Sequence, residues 1–130
     1  MFHSVAATVL FVRDLARCLT FYRDTLGLQV TESTPERASF QMENVYFLLL
    51  EVSAASNMIG VGADALKIGG GPRMLLAAGV EDVDALYESL KAKGVAMLNP
   101  PTNQPWGLRT AYFADPEGNP WEINQPIASE

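Results

Sequence analysis

The residues best suited to chemistry are few in this chain of 130 residues. It contains one histidine, His3, and one cysteine, Cys18, beside 15 aspartates and glutamates. A zinc site needs several imidazole or thiolate ligands, and a thiol nucleophile needs a base to activate it. Cys18 falls on the apolar stripe of a predicted helix, so we interpret it as a packed, inert thiol. Carboxylates are therefore the main groups from which a reactive site could be built.

Composition excludes several classes of partner. The net charge is -6 and the sequence pI is near 4.7, without any clustered basic stretch. Nucleic-acid binding needs a lysine- or arginine-rich surface, so we expect no nucleic-acid partner. An acidic surface weakly favours cationic ligands through long-range attraction. No apolar run approaches 18 residues and no signal peptide is evident, so we expect a cytoplasmic protein without a membrane partner.

The first half of the chain predicts the order β-α-β-β-β. Val5–Val12 is apolar and rich in β-branched residues, and Asp14 follows it as a helix cap. A helical stripe then runs as far as Gly27. Turn signals separate three further extended segments, which are Leu28–Glu32, Ala38–Met42 and Val45–Val52.

The second half repeats this order at a spacing of about half the chain. Met74–Val80 is a predicted strand, Asp82 a predicted cap, and the next helix stops at Gly94. Three extended segments follow, which are Val95–Leu98, Leu108–Phe113 and Pro120–Asn124. The repetition indicates an α+β protein made from a duplicated module rather than a solenoid.

The segment between the halves is long and glycine-rich. It reads SAASNMIGVGADALKIGGGP and shows no clear period. Such a length is unusual for a simple connector. Two interpretations stay open: a flexible linker, or a partial lid in which Met58, Ile59 and Leu66 fold over a ligand.

Three stretches resemble the vicinal-oxygen-chelate superfamily, which includes glyoxalases, extradiol dioxygenases and bleomycin-resistance proteins. They are FVRDLARCLTFYRDTLG, GVEDVDALYESLKAKGV and PWGLRTAYFADPEGNPWEI. The resemblance implies one domain of two tandem βαβββ modules (1–53 and 72–127, joined by a linker at 54–71). It further implies a curved, half-open, eight-stranded barrel-like sheet with helices outside, and a homodimer.

The resemblance also locates the four positions at which the family's enzymes hold a divalent metal. Counted from the motifs, these positions are Ala7, Glu51, Leu75 and Glu122. Alanine and leucine have no donor atom, so two carboxylates remain, which with water could hold Mg²⁺ loosely. They would make a poor site for Zn²⁺, Ni²⁺ or Fe²⁺. His3 lies four residues from Ala7, roughly 13 Å along an extended strand, too far to replace it. We therefore expect no metal and no other cofactor.

Strand alternation and the resemblance together predict a ligand-binding set. Residues of one parity should share the inward face with the family's metal positions, although the same side chains could simply fill a core. Trp106 lies in the turn-rich sequence NQPWG, and its indole could stack on a planar or cationic ligand or pack at an interface. Arg109 could pair with a buried glutamate or with an anionic ligand group. The predicted ligand-binding residues are Val9, Phe11, Phe47, Leu49, Glu51, Leu75, Trp106, Arg109, Tyr112 and Glu122.

The two glutamates leave three roles open: satisfaction by protein donors, binding of a cationic ligand, or acid–base chemistry. The resemblance favours the bleomycin-resistance branch, whose members bind and sequester a drug. We predict a metal-independent protein that binds an aromatic or cationic, antibiotic-like compound, and no confident catalytic residue. The alternative is a glyoxalase- or dioxygenase-like lyase or isomerase in which Glu51 or Glu122 is the base and the metal site is altered or absent.

Overall fold

The computed structural model describes residues 3, 5–62, 66 and 74–127. The chain divides into two compact units, Met1–Gly70 and Gly71–Glu130. Each unit contains one four-stranded mixed sheet with its own helical segments, so the predicted α+β class and the repeated βαβββ order are confirmed. The module boundaries at residues 53 and 72 stay predictions. No helix within the described ranges is long and apolar enough to span a membrane.

The first unit follows the predicted order closely. Its strands have the spatial order β1-β4-β3-β2, in which β1 and β4 are parallel and the other neighbours are antiparallel. Asp14 caps the first helix as predicted, because its carboxylate accepts the backbone N–H of Arg17 at 3.1 Å. The elements are β1 (Ala7–Val12), α1 (Leu15–Thr20) with a π-helical continuation (Phe21–Thr25), β2 (Val30–Ser33), β3 (Arg37–Phe40) and β4 (Tyr46–Glu51).

An aromatic cluster joins this sheet to its helical segment. The ring of Tyr22, in the π-helical continuation, lies 5.4 Å from Phe47 of β4 and 5.8 Å from Phe40 of β3. Phe21 meets the edge of Tyr22 at 5.2 Å. Tyr22, Phe40 and Phe47 are almost fully buried. Rings of this size contribute much of the apolar area that a small core removes from water.

A helix that the sequence did not predict follows β4 directly. This helix, α2 (Val52–Ile59), occupies the beginning of the segment interpreted as a linker or lid. It ends at Gly60, whose φ of 83° is left-handed and therefore suits glycine. Residues 63–65 and 67–71 of the predicted linker lie outside the described residues.

The second unit repeats the arrangement, with strand order β5-β8-β7-β6. Asp82 caps the helix as predicted, because its carboxylate accepts the backbone N–H of Ala85 at 3.0 Å. The elements are β5 (Leu76–Gly79), α3 (Val83–Ala92), β6 (Ala96–Asn103), β7 (Leu108–Ala114) and β8 (Pro120–Pro126).

One face of the second sheet is apolar and carries α3. Phe113 and Trp121 are register partners on this face, and their rings stack with centroids 6.2 Å apart. Trp121 is buried there, as expected for a residue under a helix. On the same face Arg109 holds α3 through two hydrogen bonds of 2.8 Å to the carboxylate of Asp84. The opposite face of this sheet is polar, and it contains the candidate site.

Candidate functional site

Glu122 is the centre of a hydrogen-bond network on the polar face of the second sheet. The Tyr112 hydroxyl donates to Glu122 Oε1 at 2.7 Å, and Asn124 Nδ2 donates to Glu122 Oε2 at 2.7 Å. Tyr112 and Glu122 are register partners on neighbouring strands, and Asn124 follows two residues later on β8. Side chains with this spacing share one face of a sheet. Each carboxylate oxygen is thus held by one neutral donor.

The turn before β8 sets the register of β8, and so the position of Glu122 in this network. Asp115 is buried, and its Oδ1 accepts the backbone N–H groups of Glu117 and Asn119 at 2.9 Å each. The sequence predicts this turn from DPEG, because aspartate closes such turns on its own backbone. The closed turn starts β8 at Pro120 and so sets the register that brings Glu122 beside Tyr112.

The network perturbs the phenol of Tyr112. Its hydrogen bond to Glu122 raises the pKa of Tyr112 above the ordinary tyrosine value, and partial burial and the carboxylate charge add to this effect. The neighbouring Thr110 hydroxyl has a smaller effect on this pKa, in the opposite direction. Tyr112 therefore stays protonated at neutral pH and serves Glu122 as a hydrogen-bond donor.

Further polar residues extend this face toward the β6–β7 turn. Thr110 is fully buried, and its hydroxyl accepts a hydrogen bond of 3.0 Å from Gln104 Nε2. Gln104, Thr110 and Asn124 belong to this face but are not among the predicted ligand-binding residues. For Asn124 a signal was present, since a residue two positions after Glu122 in a strand must share its face.

Glu51 lies on the other side of its sheet from Ala7. In the parallel pairing of β1 with β4, Ala7 is opposite Tyr46 and Val12 is opposite Glu51. Register partners lie on the same face of the sheet, so Tyr46 shares the face of Ala7. Side chains alternate between the two faces along a strand, and Glu51 lies five residues after Tyr46. Because five is an odd number, Glu51 lies on the opposite face. The expectation that Glu51 shares an inward face with the family's first metal position is therefore wrong.

The same register corrects two other expectations in the first unit. Val9 and Phe11 pair with Leu48 and Leu50, not with Phe47 or Leu49. Phe47 instead contacts Tyr22 in the aromatic cluster, and Leu49 shares its parity. Phe47 and Leu49 therefore lie on the helix-covered face, whereas Val9 and Phe11 lie half-buried on the opposite face.

The carboxylate of Glu51 caps α2. Its Oε2 accepts the backbone N–H groups of Ser53 at 3.0 Å and Ala54 at 3.2 Å, and also the Ser53 hydroxyl. Bonds from the Ser53 hydroxyl and backbone lower the pKa of Glu51; Ala54 adds to the effect and partial desolvation opposes it. A carboxylate stabilised in this way is a weak base, and its position suits a negative charge at a helix N-terminus.

The family's metal does not fit the donor set of these residues. Ala7 and Leu75 carry no donor atom, and Leu75 lies just before β5 with 48% of its surface exposed. The carboxylate of Glu51 caps α2, and the carboxylate of Glu122 accepts hydrogen bonds from Tyr112 and Asn124. Within the described residues, no three histidine, cysteine, aspartate or glutamate side chains come together as a metal site.

Trp106 lies at the exposed tip of the β6–β7 turn. It is 64% exposed, and the turn closes through a bond from the Gly107 N–H to the Gln104 carbonyl. Arg109, three residues on, points to the α3 face and pairs with Asp84, which is exposed. The expected pairing of Arg109 with a buried glutamate is therefore corrected to a surface pairing with an aspartate. The indole of Trp106 remains available for a ligand or a partner.

The first unit also contains a pocket of about 500 Å³. None of the predicted ligand-binding residues lines it. Its walls are neutral, a mixture of amide, hydroxyl and apolar groups from Ala6, Thr31, Phe40, Gln41, Met42, Asn44, Val45 and Tyr46.

Comparison with known proteins identifies the superfamily of this chain. A model of the Glyoxalase/Bleomycin resistance protein/Dioxygenase superfamily matches residues 4–123, which is most of its length. The chain belongs to this superfamily. A relative of similar length is the uncharacterized protein YraH of Bacillus subtilis (strain 168). It is 34% identical over 117 residues, which cover 88% of this chain and 91% of YraH.

Solved structures of the superfamily share the fold. A glyoxalase/bleomycin resistance protein/dioxygenase from Nocardioides is similar with a TM-score of 0.85 and 26% identity, over 100% of this chain and 87% of that one. A glyoxalase-related enzyme from Fulvimarina pelagi gives a TM-score of 0.80 and 29% identity, over 98% and 94% of the two chains. The match along both units agrees with the two βαβββ modules described above.

Proposed function

We propose that this superfamily member is a metal-independent small-molecule-binding protein that sequesters an aromatic or cationic, antibiotic-like compound. The observation that carries the proposal is the state of the family's metal positions: two are apolar, and the two carboxylates already accept hydrogen bonds from the protein's own donors. A superfamily fold without its nitrogen ligands keeps a binding surface but lacks the Lewis acid that the metal-dependent reactions need.

Trp106 supports the aromatic part of the proposal. An indole with 64% of its surface exposed at a turn gains little from the fold, whereas it can stack on a planar or cationic guest. Trp121 is buried against Phe113, so its fluorescence provides a nearly constant background. Quenching on ligand addition would therefore report mainly on Trp106.

The test is equilibrium binding of a panel of aromatic antibiotics, followed by tryptophan fluorescence and calorimetry. At least one compound should bind more tightly than millimolar, and Trp106→Ala should weaken that binding by about tenfold. Leu98→Ala is the matched control, because Leu98 is also an exposed apolar side chain (56%) of the second unit. A panel without any ligand below millimolar would contradict the binding role.

A second candidate function is metal-free acid–base catalysis at Glu122. It is favoured by the Tyr112 hydroxyl, which lies 2.7 Å from the carboxylate and could return a proton that Glu122 removes. Proton NMR together with mass spectrometry of each bound compound after long incubation separates the two functions, because NMR also detects an isomer of unchanged mass. Sequestration predicts unchanged compound, whereas a lyase or isomerase would convert it.

We also propose that the protein works as a homodimer, as the resemblance to the vicinal-oxygen-chelate superfamily implies, and that it acts in the cytoplasm. Light scattering on the purified protein should give twice the chain mass of 14.1 kDa. A single-chain mass at working concentration would contradict the dimer without affecting the binding proposal.

A further inference from the structure

We infer that Glu122 is the group that recognises the ligand, and that it selects a cationic nitrogen such as an amidinium, guanidinium or ammonium group. This inference rests on the proposed binding function and adds the chemistry of the ligand. It places an organic cation at the position where the family's enzymes carry a metal ligand.

The first support is the distribution of charge on the second sheet. In its four strands, all of which the structure describes, the charged residues are Arg109 and Glu122. Arg109 lies on the α3 face and is bound to Asp84 through two hydrogen bonds. Glu122 lies on the opposite face. Its register partner is Tyr112, which is three residues after Arg109 in β7 and therefore points to the other side of the sheet. The strands therefore place no cation beside the Glu122 carboxylate.

The second support is the hydrogen bonding of the carboxylate itself. A carboxylate offers about four acceptor sites, and Tyr112 and Asn124 use one on each oxygen. Both donors are neutral, so they fix the orientation of Glu122 without cancelling its charge. A half-buried charge of this kind is costly unless it is paired. The remaining acceptor sites, one on each oxygen, match the two parallel N–H groups of an amidinium or guanidinium.

The third support is the small side chains that flank Glu122 on β5. Ala77 is the register partner of Glu122, and Gly79 is the partner of Asn124. Gly79 has no backbone need for glycine, because its φ is not left-handed. Among the described residues, an added Cβ would meet only Asn124 Oδ1, at 3.9 Å. Both residues are exposed. Their small size means that, of the residues the structure describes in β5, none covers the carboxylate network with a large side chain.

The experiment compares a cation with its neutral isostere. The probes are 2-naphthamidine and 2-naphthamide, measured by calorimetry against the wild-type protein, Glu122→Gln and Glu88→Gln. The wild type should bind the amidine at least about tenfold more tightly than the amide, as expected for a charge-assisted pair. Glu122→Gln should lose this preference. Glu88→Gln, the same change on the exposed surface of α3, should keep it and so controls for net charge.

A second variant keeps the test decisive if Glu122→Gln is unstable. Gly79→Val suits a strand and leaves Glu122 intact, but its side chain should cover the network and weaken amidine binding by about tenfold or more. Equal binding of the two probes, no binding of either, or a preference that survives Glu122→Gln would overturn the inference. If antibiotics in the panel bind while these outcomes occur, the inference fails alone; if nothing binds, the proposed function fails as well.

Discussion

At the scale of single residues, Glu51 and Glu122 have the same chemistry and different environments. Glu51 accepts three hydrogen bonds at the start of a helix, from the backbone of Ser53 and Ala54 and from the Ser53 hydroxyl. Glu122 accepts two from side chains on an open sheet face. The first arrangement stabilises the fold. The second leaves acceptor sites for a guest, so we assign recognition to Glu122 and structure to Glu51.

Replacement of Glu51 should therefore reduce stability in a pH-dependent manner. Glu51→Ala removes a helix cap, and we expect a cost of about 0.5–2 kcal/mol in the free energy of unfolding at pH 7. The folded-state pKa of Glu51 is lowered, so its contribution is present above the unfolded pKa and is lost as the pH falls through the folded value. Urea unfolding at pH 7 and pH 3 should show a smaller difference between the wild type and Glu51→Ala at pH 3.

Glu43→Gln is the control for this prediction, since Glu43 lies exposed in the turn before β4. Its effect should stay within about 0.5 kcal/mol at either pH, as for most surface substitutions. An equal loss of stability from Glu51→Ala at pH 3 and pH 7 would mean that the charge of Glu51 does not contribute to the cap.

At the scale of elements, the caps and the repeated strand order follow from sequence, whereas the orientation of β4 does not. Asp14 and Asp82 cap helices where their spacing to the apolar stripe predicts it. The run Phe47–Leu50 is apolar at every position and buried on both faces, so alternation gives no parity signal. Only the pairing with β1 decides which of these side chains meets the helical segment.

Helix α2 was not predicted because its sequence signals are also weak. Its cap is a glutamate, which is not among the preferred N-cap residues, and a glycine-rich stretch follows it. The available signal was Gly60 at the end of an eight-residue stretch without glycine or proline. On the site, sequence located Glu122 and Tyr112 but could not give the partners of Glu122, because cross-strand register depends on the whole sheet.

Two glycine substitutions should separate backbone conformation from packing. Gly60→Ala should cost about 1 kcal/mol, because φ is 83° there and an added Cβ makes no compensating contact with the residues that the structure describes. Gly79→Ala should be neutral or slightly stabilising, because its φ suits any residue and the new Cβ makes an ordinary contact. Thermal and urea unfolding of both variants check this. Equal effects of the two changes would contradict the left-handed helix end at Gly60.

At the scale of the whole molecule, stability should be independent of divalent metal. The units pack around their own sheets, with aromatic cores that need no ion, and the donor set of the family's metal positions does not suit one. Dialysis against a chelator should leave the melting temperature and ligand binding unchanged. An ion present at 100 times its Kd would add about 2.7 kcal/mol, a shift of several degrees that scanning calorimetry resolves. Such a chelator-sensitive shift would contradict metal independence.

The direction in which each β4 side chain points matters when other members of the superfamily are compared by sequence alignment. An alignment column records that a glutamate is present but not which side of the strand it occupies. Counted by column, Glu51 looks like a retained ligand, although its carboxylate serves a helix on the far side from Ala7. To put an acid beside Ala7 one would have to change Tyr46 or Leu48 instead, since Tyr46 is the register partner of Ala7 and Leu48 is the next β4 residue on the same face. Transfer of enzymatic activity by alignment should therefore count side-chain direction together with residue identity.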